Sequence, residues 1–225
     1  MLDQFTLEEI DRDGAIGEAA FNTAGDTRLD FLKKSALGVG TIAGGGAILS
    51  ALAPAAAMAG GAPPKAFGKG DIAILNYALT LEFLEADFYA KVIGSGLLKG
   101  AEQDFAKRVG DTEQQHVDAI KATIEKLGGT AVTAPKTKFP LESRLAVLKL
   151  AATVENLGAA AYLGKAGEIS NPEVLAAALS IHSVEARHAA ALNQLLGKNP
   201  LPDGAFAKPA KEADVLAAVK PFLVA

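Results

Sequence analysis

Two short motifs in this chain pair a glutamate with a histidine three residues later. One is Glu113 with His116 and the other is Glu185 with His188, so two of the 3 histidines have such a partner. Residues i and i+3 of an α-helix share a face, so each motif can direct a carboxylate and an imidazole at one point. Two such helices, with one glutamate from each of two more, form a carboxylate-bridged di-metal site. A single motif is typical of a solvated helix face, whereas the pair favours metal binding.

An internal repeat supplies the other two glutamates. The segment around Glu82 aligns with the segment around Glu155, and in each the glutamate precedes a tyrosine, Tyr89 or Tyr162, by seven residues. The distance from this glutamate to the following Glu-x-x-His motif is nearly the same in the two halves. A pseudo-twofold axis would bring both sets together at the middle of a bundle. The predicted metal ligands are Glu82, Glu113, His116, Glu155, Glu185 and His188.

The repeat also distinguishes two neighbouring acids. Glu85 aligns with Gly158, so it has no counterpart in the other half. At 100° per residue, it lies about 60° away from Glu82 around the helix. We therefore predict Glu82 as the ligand and keep Glu85 as an additional acid near the site.

The tyrosines and the third histidine have open roles. Tyr89 and Tyr162 are either hydrogen-bond donors to the carboxylates or redox-active neighbours of the metals, and the plain alternative is a core tyrosine with a satisfied hydroxyl group. His182 aligns with Gly110 in the repeat, so we expect it at the surface or beside the ligands.

Burial is the physical argument for a metal. An isolated carboxylate inside an apolar bundle costs several kcal/mol unless it is paired or binds a cation. Four carboxylates and two neutral imidazoles neutralise two divalent ions. The chain contains 0 cysteines, so disulfides and thiolate ligands are excluded and any metal must be held by oxygen and nitrogen.

Four long helices must position these side chains. Apolar residues recur at alternating spacings of three and four, which is the pattern of the inward face of a helical bundle, and each candidate ligand lies within such a stripe. The predicted helices cover residues of about 71–93, 100–127, 141–166 and 172–196. We expect Asp71 to cap the first helix, and Glu102, Leu145 and Leu195 to lie on the inward stripes of the second, third and fourth.

The link between the second and third helices predicts the topology. Residues 128–140 contain Pro135 and Pro140 and no helical pattern. Fully extended, they span roughly 43 Å, whereas a helix of about 25 residues is roughly 38 Å long. The link can therefore run from one end of the bundle to the other and join two helical hairpins. After the bundle, residues 198–225 form a loop and a short helix of about 212–219, which covers either a bundle end or a partner.

The first 59 residues are typical of a leader with a secretory signal. A basic patch at Lys33 and Lys34 precedes an apolar, glycine-rich run, and Ala57-Met58-Ala59 supplies the small residues of a cleavage site after Ala59. Residues 60–69 form a linker. The prediction is an exported protein, periplasmic or extracellular, with no stable membrane span after cleavage, and the alternative is an uncleaved N-terminal anchor.

Charge is unevenly distributed along the chain. The formal net charge of −4 lies entirely in residues 1–59, and residues 60–225 are neutral overall. There is no basic tail or stripe, so nothing in the sequence indicates nucleic-acid binding.

The sequence resembles known families at two places. The twin-arginine (Tat) signal pattern is matched by Thr27, Arg28, Phe31, Leu32 and Lys33, and Leu29 stands at the position of its second arginine. Residues 70–197 resemble the ferritin-like superfamily, and within it the secreted ferritin-like domain group that includes desiccation-related proteins. The resemblance rests on the six predicted ligands and implies a ferritin-like four-helix bundle in an all-α protein.

The resemblance to that superfamily also implies a function. The six residues would hold two Fe or Mn ions, bridged by Glu113 and Glu185, as in rubrerythrin-type and manganese-catalase-type sites. The substrate would be O₂ or H₂O₂, in ferroxidase-, peroxidase- or catalase-like chemistry that protects the cell envelope under stress. Without cysteine there is no rubredoxin-type iron centre, so electrons would come from an external donor, and a homo-oligomer is expected. The alternatives are a non-catalytic metal-binding protein and a purely structural bundle.

Overall fold

The computed structural model describes residues 67–224, and these residues are predominantly helical. The predicted leader, the signal and most of the linker lie outside the described residues. The described chain forms α1 (Gly70–Ser95), α2 (Ala101–Lys126), α3 (Arg144–Ala166), α4 (Pro172–Leu195), α5 (Glu212–Val219) and a closing 3₁₀ turn (Lys220–Phe222). In this part of the chain, α1 packs mainly on α2 and α3 packs mainly on α4.

Two contacts establish the relative direction of α1 and α3. Tyr89 of α1 reaches Glu155 of α3, and Tyr162 of α3 reaches Glu82 of α1, so the two helices are antiparallel. Loops of five residues join the helices within each hairpin, which makes those pairs antiparallel as well. Helices α2 and α3 therefore run in the same direction, and the chain between them must return along the whole bundle. The predicted four-helix bundle of two hairpins and one long crossover is confirmed.

The crossover lies extended along α1. The Asn76 side chain donates to the carbonyl of Thr130 at 3.1 Å and accepts from the backbone N–H of Val132 at 2.8 Å. Fifteen residues further along α1, the Lys91 ammonium donates to the carbonyl of Thr137 at 2.7 Å. The helix rises about 22 Å over this interval, and the crossover covers it with about 23 Å of fully extended chain. Polar side chains of α1 thus satisfy backbone groups that a non-helical link cannot pair internally.

The C-terminal segment packs onto this framework. The backbone N–H of Ala210 donates to the carbonyl of Ala160 in α3 at 2.9 Å, and Lys138 of the crossover donates to the carbonyl of Phe222 at 2.8 Å. Phe222 is buried and stacks near Phe139 of the crossover. The expected position at a bundle end is wrong, because the short helix packs along the side of α3 and its Val219 lies beside Leu84 in the middle of α1.

Four details of the predicted helices are wrong. Asp71 does not cap α1, because its carboxylate instead accepts hydrogen bonds from the backbone of the α3–α4 loop at 2.7 and 2.9 Å. Glu102 does not face the core but pairs with Arg144, which begins α3 three residues later than predicted. Leu145 is 49% exposed and Leu195 is 45% exposed. Leu145 lies in the first turn of α3 and Leu195 in the last turn of α4, so both are at helix ends rather than in the middle of the apolar stripe.

Among residues 67–224, no helix combines the length and the apolar character that crossing a membrane requires.

The contact between α3 and the C-terminal segment leads to a stability prediction. A Cβ atom at Gly164 would lie 2.0 Å from the carbonyl oxygen of Ala210, so Gly164→Ala should displace this segment and lower the free energy of unfolding by about 1–3 kcal/mol. Gly94→Ala is the matched control, because a Cβ there meets no described neighbour within 4 Å, and it should be neutral or stabilising by up to about 1 kcal/mol. Urea unfolding measures both, and equal effects of the two substitutions would contradict the packing.

Candidate metal centre

The structure brings the six predicted ligands together in the middle of the bundle. Helices α1 and α3 contribute one glutamate each, and α2 and α4 contribute one Glu-x-x-His motif each. All four glutamates are 0% exposed. They lie among apolar neighbours from four helices, so their charge cannot be solvated by bulk water and has to be balanced inside the bundle.

Glycines allow the helices to approach at this level. A Cβ on Gly110 of α2 would lie 3.0 Å from the Cβ of Tyr89 in α1. A Cβ on Gly158 of α3 would lie 3.0 Å from Oε2 of Glu185 in α4. Larger residues would therefore push apart the helices that carry the ligands, or displace the ligands themselves.

In the first half of the site, three carboxylates surround one imidazole. His116 Nδ1 lies 3.0 Å from Oε2 of Glu113 and 3.2 Å from Oε2 of Glu82. It also lies 3.2 Å from Oε1 of Glu185. Donor atoms held at about 2.1 Å from one octahedral metal ion are about 3 Å from each other, so these separations match a shared cation.

The second half repeats the arrangement around His188. Its Nδ1 lies 3.2 Å from Oε2 of Glu155 and 3.0 Å from Oε1 of Glu113. Glu113 thus directs one oxygen to each histidine. The ligand atoms form two overlapping groups, each within 4.8 Å, and both groups contain Glu113 and Glu185. These two carboxylates are common to both groups, so they would bridge two ions if each group held one.

Unpaired oxygens indicate that the site fits a metal. Among the described residues, Glu113 Oε1 and both carboxylate oxygens of Glu185 are buried without a hydrogen-bond partner. Imidazoles face two of these oxygens, with His188 Nδ1 at 3.0 Å from Oε1 of Glu113 and His116 Nδ1 at 3.2 Å from Oε1 of Glu185. Buried oxygens left without donors are rare and costly in proteins, and divalent cations are their natural partners.

Comparison with known proteins agrees with this arrangement. Residues 70–198 match the family model described as ferritin-like domain. The chain belongs to the ferritin-like domain family. A search of curated proteins gave no match.

Two tyrosines of this ferritin-like domain, Tyr89 and Tyr162, each donate a hydrogen bond to a glutamate of the opposite half. Tyr89 donates to Oε1 of Glu155 at 2.6 Å, and Tyr162 donates to Oε1 of Glu82. Each of these glutamates therefore has one oxygen held by a phenol and the other directed at a histidine. Of the roles considered above, the hydrogen-bond contact is what the structure shows for both tyrosines.

The pKa values show how a metal-free ferritin-like domain would balance its charge. Burial raises the pKa of Glu82 to about 7 and that of Glu185 well above its usual range. Burial also acts on Glu113, but the two facing histidines outweigh it and lower its pKa to about 2. Protons on the remaining groups thus take the place of cation charge.

Glu85, which the sequence pattern placed off the inward stripe, is buried beside the ligand groups. It is 3% exposed, its Oε2 has no described partner, and its Oε1 lies against Gly158. Glu85 belongs to neither ligand group, and burial and the neighbouring carboxylates hold its pKa well above the usual range. The glycine opposite it in the repeat was the available signal, because it leaves the space that Glu85 occupies.

His182 lies outside both ligand groups. It is half-buried, and its Nδ1 is 3.0 Å from the carbonyl oxygen of Ala159.

The raised pKa values of the two histidines predict that metal binding releases protons. Burial opposes their protonation, but the facing carboxylates raise the pKa of His188 to about 9 and that of His116 to about 12. Both imidazoles are therefore protonated at pH 7 without metal, and each must lose its proton to bind an ion. Affinity for Mn(II) should therefore rise with pH through about 9, where His188 loses its proton, continue to rise above that as His116 loses its own, and weaken as pH falls.

Calorimetric titration with Mn(II) in buffers of different ionisation enthalpy measures this release. At pH 7 we expect about two protons or more per chain, with the same number for the control His182→Ala. Binding that is independent of pH and buffer would contradict the geometry of the site.

Proposed function

We propose that this ferritin-like protein binds two Fe or Mn ions and uses them to react with O₂ or peroxide. The observation that supports the proposal is the pair of Glu/His groups sharing the buried carboxylates Glu113 and Glu185. Two cation sites with common ligands can deliver two electrons at one place, which is what the reduction of a peroxide bond requires.

A bound pair of these ions would supply the redox chemistry by cycling between the +2 and +3 states. The protein supplies position and charge. Glu113 and Glu185 hold the two cation sites close together, and His116 and His188 each complete one of them. Tyr89 restrains one oxygen of Glu155, so this carboxylate can respond to a change of charge with its second oxygen.

Electron balance separates two forms of the reaction. In the catalase-like form, two H₂O₂ give O₂ and two H₂O, and no other reductant is needed. In the peroxidase- or ferroxidase-like form, one H₂O₂ takes two electrons and two protons to give two H₂O. In the ferroxidase-like form Fe(II) would itself supply the electrons, whereas the peroxidase-like form would need an external electron donor, because the chain has 0 cysteines with which to hold an iron centre of its own.

We further propose that the protein works in the cell envelope, in stress protection of the kind expected for the desiccation-related group. The support is the leader sequence, in which Thr27, Arg28, Phe31 and Leu32 precede an apolar run and the small residues before Ala59. Export in a folded, Tat-like manner would let the metals bind before the protein crosses the membrane.

The enclosure of the site favours a second candidate, a metal-stabilised bundle without turnover. The carboxylates are fully buried, and the side chains of His116 and His188 are only 11% and 13% exposed. Such a protein would sequester iron or protect the envelope, with the metals contributing to stability in proportion to their affinity.

Peroxide reactivity distinguishes the two candidates. Protein loaded with Fe(II) under anaerobic conditions should oxidise its iron on mixing with H₂O₂ faster than free Fe(II) at the same concentration, as followed by Fe(III) absorbance. Mn(II)-loaded protein tests the catalase-like form by O₂ evolution.

The double variant Glu113→Ala, His116→Ala should react at the rate of free Fe(II), because it lacks a bridging carboxylate and an imidazole of one site. His182→Ala is the matched control and should behave like the wild type, since it removes a histidine outside both ligand groups. A fully loaded wild type that reacts no faster than free metal would favour the second candidate.

A further inference from the structure

The outer faces of α2 and α4 differ, although the internal repeat makes the two helices equivalent. Each helix exposes 12 residues on the side away from the metal centre. On α2, 7 of these are charged, whereas on α4 only 2 are charged, Glu173 and Arg187. Two helices with the same place in the bundle and the same exposure thus present different chemistry to their surroundings.

Small side chains replace the charges on α4. Where α2 exposes Arg108 and Asp111, the equivalent positions of α4 hold Ser180 and Ser183. Leu179, one residue before Ser180, is 44% exposed. Helix axes approach most closely where the side chains between them are small. Alanine is also a good helix former at any exposed position, so the small residues alone identify no partner. The exposed small residues of α4 are Ala176, Ala177, Ser180, Ser183, Ala186 and Ala191.

The two charged residues make this face complementary to itself. Glu173 lies seven residues before Ser180 and Arg187 lies seven residues after it. Seven residues return an α-helix to the same side within about 20°, so the three side chains lie on one line along the face. If a second copy packs antiparallel around a twofold axis at Ser180, Glu173 of each copy lies level with Arg187 of the other. Two ion pairs then form at once, with small residues between them, as a symmetric interface requires.

The present contacts of these two side chains are weak. Glu173 lies 3.5 Å from Lys126 of α2, and the two side chains are 82% and 76% exposed. Exposed pairs of this kind contribute little to stability. Arg187 donates one hydrogen bond to the hydroxyl group of Ser183 at 3.3 Å and has no carboxylate partner within residues 67–224. Both charges can therefore exchange these contacts for a partner across the axis.

We propose that the outer face of α4 is the interface of a symmetric dimer of this chain, with the twofold axis at Ser180. The charge pattern selects a second copy, because one surface then supplies both members of both ion pairs. Stable interfaces typically bury about 800 Å² on each partner, and a single helix face is at the small end of this range. We therefore expect a dimer that dissociates on dilution.

Charge reversal tests the pairing, by sedimentation velocity of the full chain over a series of concentrations. Glu173→Arg and Arg187→Glu each place like charges opposite one another and should raise the dimer Kd about tenfold. The double variant should return to within a few-fold of the wild type, because the same pairs form with their signs exchanged. The matched controls are Asp111→Arg and Arg108→Glu on the outer face of α2, and they should leave the Kd unchanged.

Two results of this experiment would overturn the proposal. One is a wild type that is monomeric at every concentration, and the other is a double variant that dimerises as weakly as the single variants. Metal content is a separate readout, since none of the substituted residues belongs to a ligand group. A dimer without metal would contradict the proposed function alone, and a metal-loaded monomer would contradict the dimer alone.

A cysteine at the axis tests the register. The chain has 0 cysteines, so Ser180→Cys introduces one thiol per copy, and the two thiols of a dimer would face each other across the axis. A disulfide needs Cα atoms within about 7 Å. Mild oxidation should therefore link Ser180→Cys into a covalent dimer and leave Arg108→Cys, at the equivalent position of α2, unlinked. Equal linking of the two variants, or none in Ser180→Cys, would overturn the proposal even if the protein is dimeric.

Discussion

The structure depends on the burial of four carboxylates in the centre of an apolar bundle. Glu82, Glu113, Glu155 and Glu185 are fully removed from solvent, and charges in such a place are tolerated only when opposite charge faces them. Two histidines provide part of that charge by holding protons, yet three carboxylate oxygens still have no described donor. Two divalent cations would satisfy all of these groups at once. The apolar helices and the polar site therefore depend on each other. The bundle excludes water, which strengthens cation binding, and bound cations would offset the free-energy cost of burying the acids.

This constraint also explains the topology. Each cation site takes residues from both hairpins, so the two halves must be held in register across the bundle. The tyrosines contribute to that register, since Tyr89 and Tyr162 each link a helix of one hairpin to a carboxylate of the other. The crossover adds a second restraint, because Asn76 and Lys91 of α1 bind its backbone at both ends. The C-terminal segment then covers α3 and the end of the crossover.

Much of this could be predicted from the sequence, for physical reasons that also explain the failures. The helices, their antiparallel pairing and the set of six clustered residues follow from periodicity and from an internal repeat, which are properties of the chain itself. Asp71, Leu145 and Leu195 were misplaced because their surroundings are decided at helix ends, where loops from distant parts of the chain arrive or fail to arrive. Glu85 lies off the ideal stripe and is nevertheless buried, because α3 presents a glycine there. The spacing of residues along one helix does not show where a neighbouring helix, through a glycine, leaves room for a side chain.

The most direct test of the central claim is the metal content of the full chain purified without chelator, measured by elemental analysis. The account predicts about two Fe or Mn ions per chain in the wild type, since two groups of ligands share two carboxylates. It predicts that the Glu113→Ala, His116→Ala variant loses them, because this variant removes one bridging carboxylate and one imidazole. A wild-type protein that remains free of metal after incubation with Fe(II) and with Mn(II) would contradict the account, and the buried acids would then have to be balanced by protons alone.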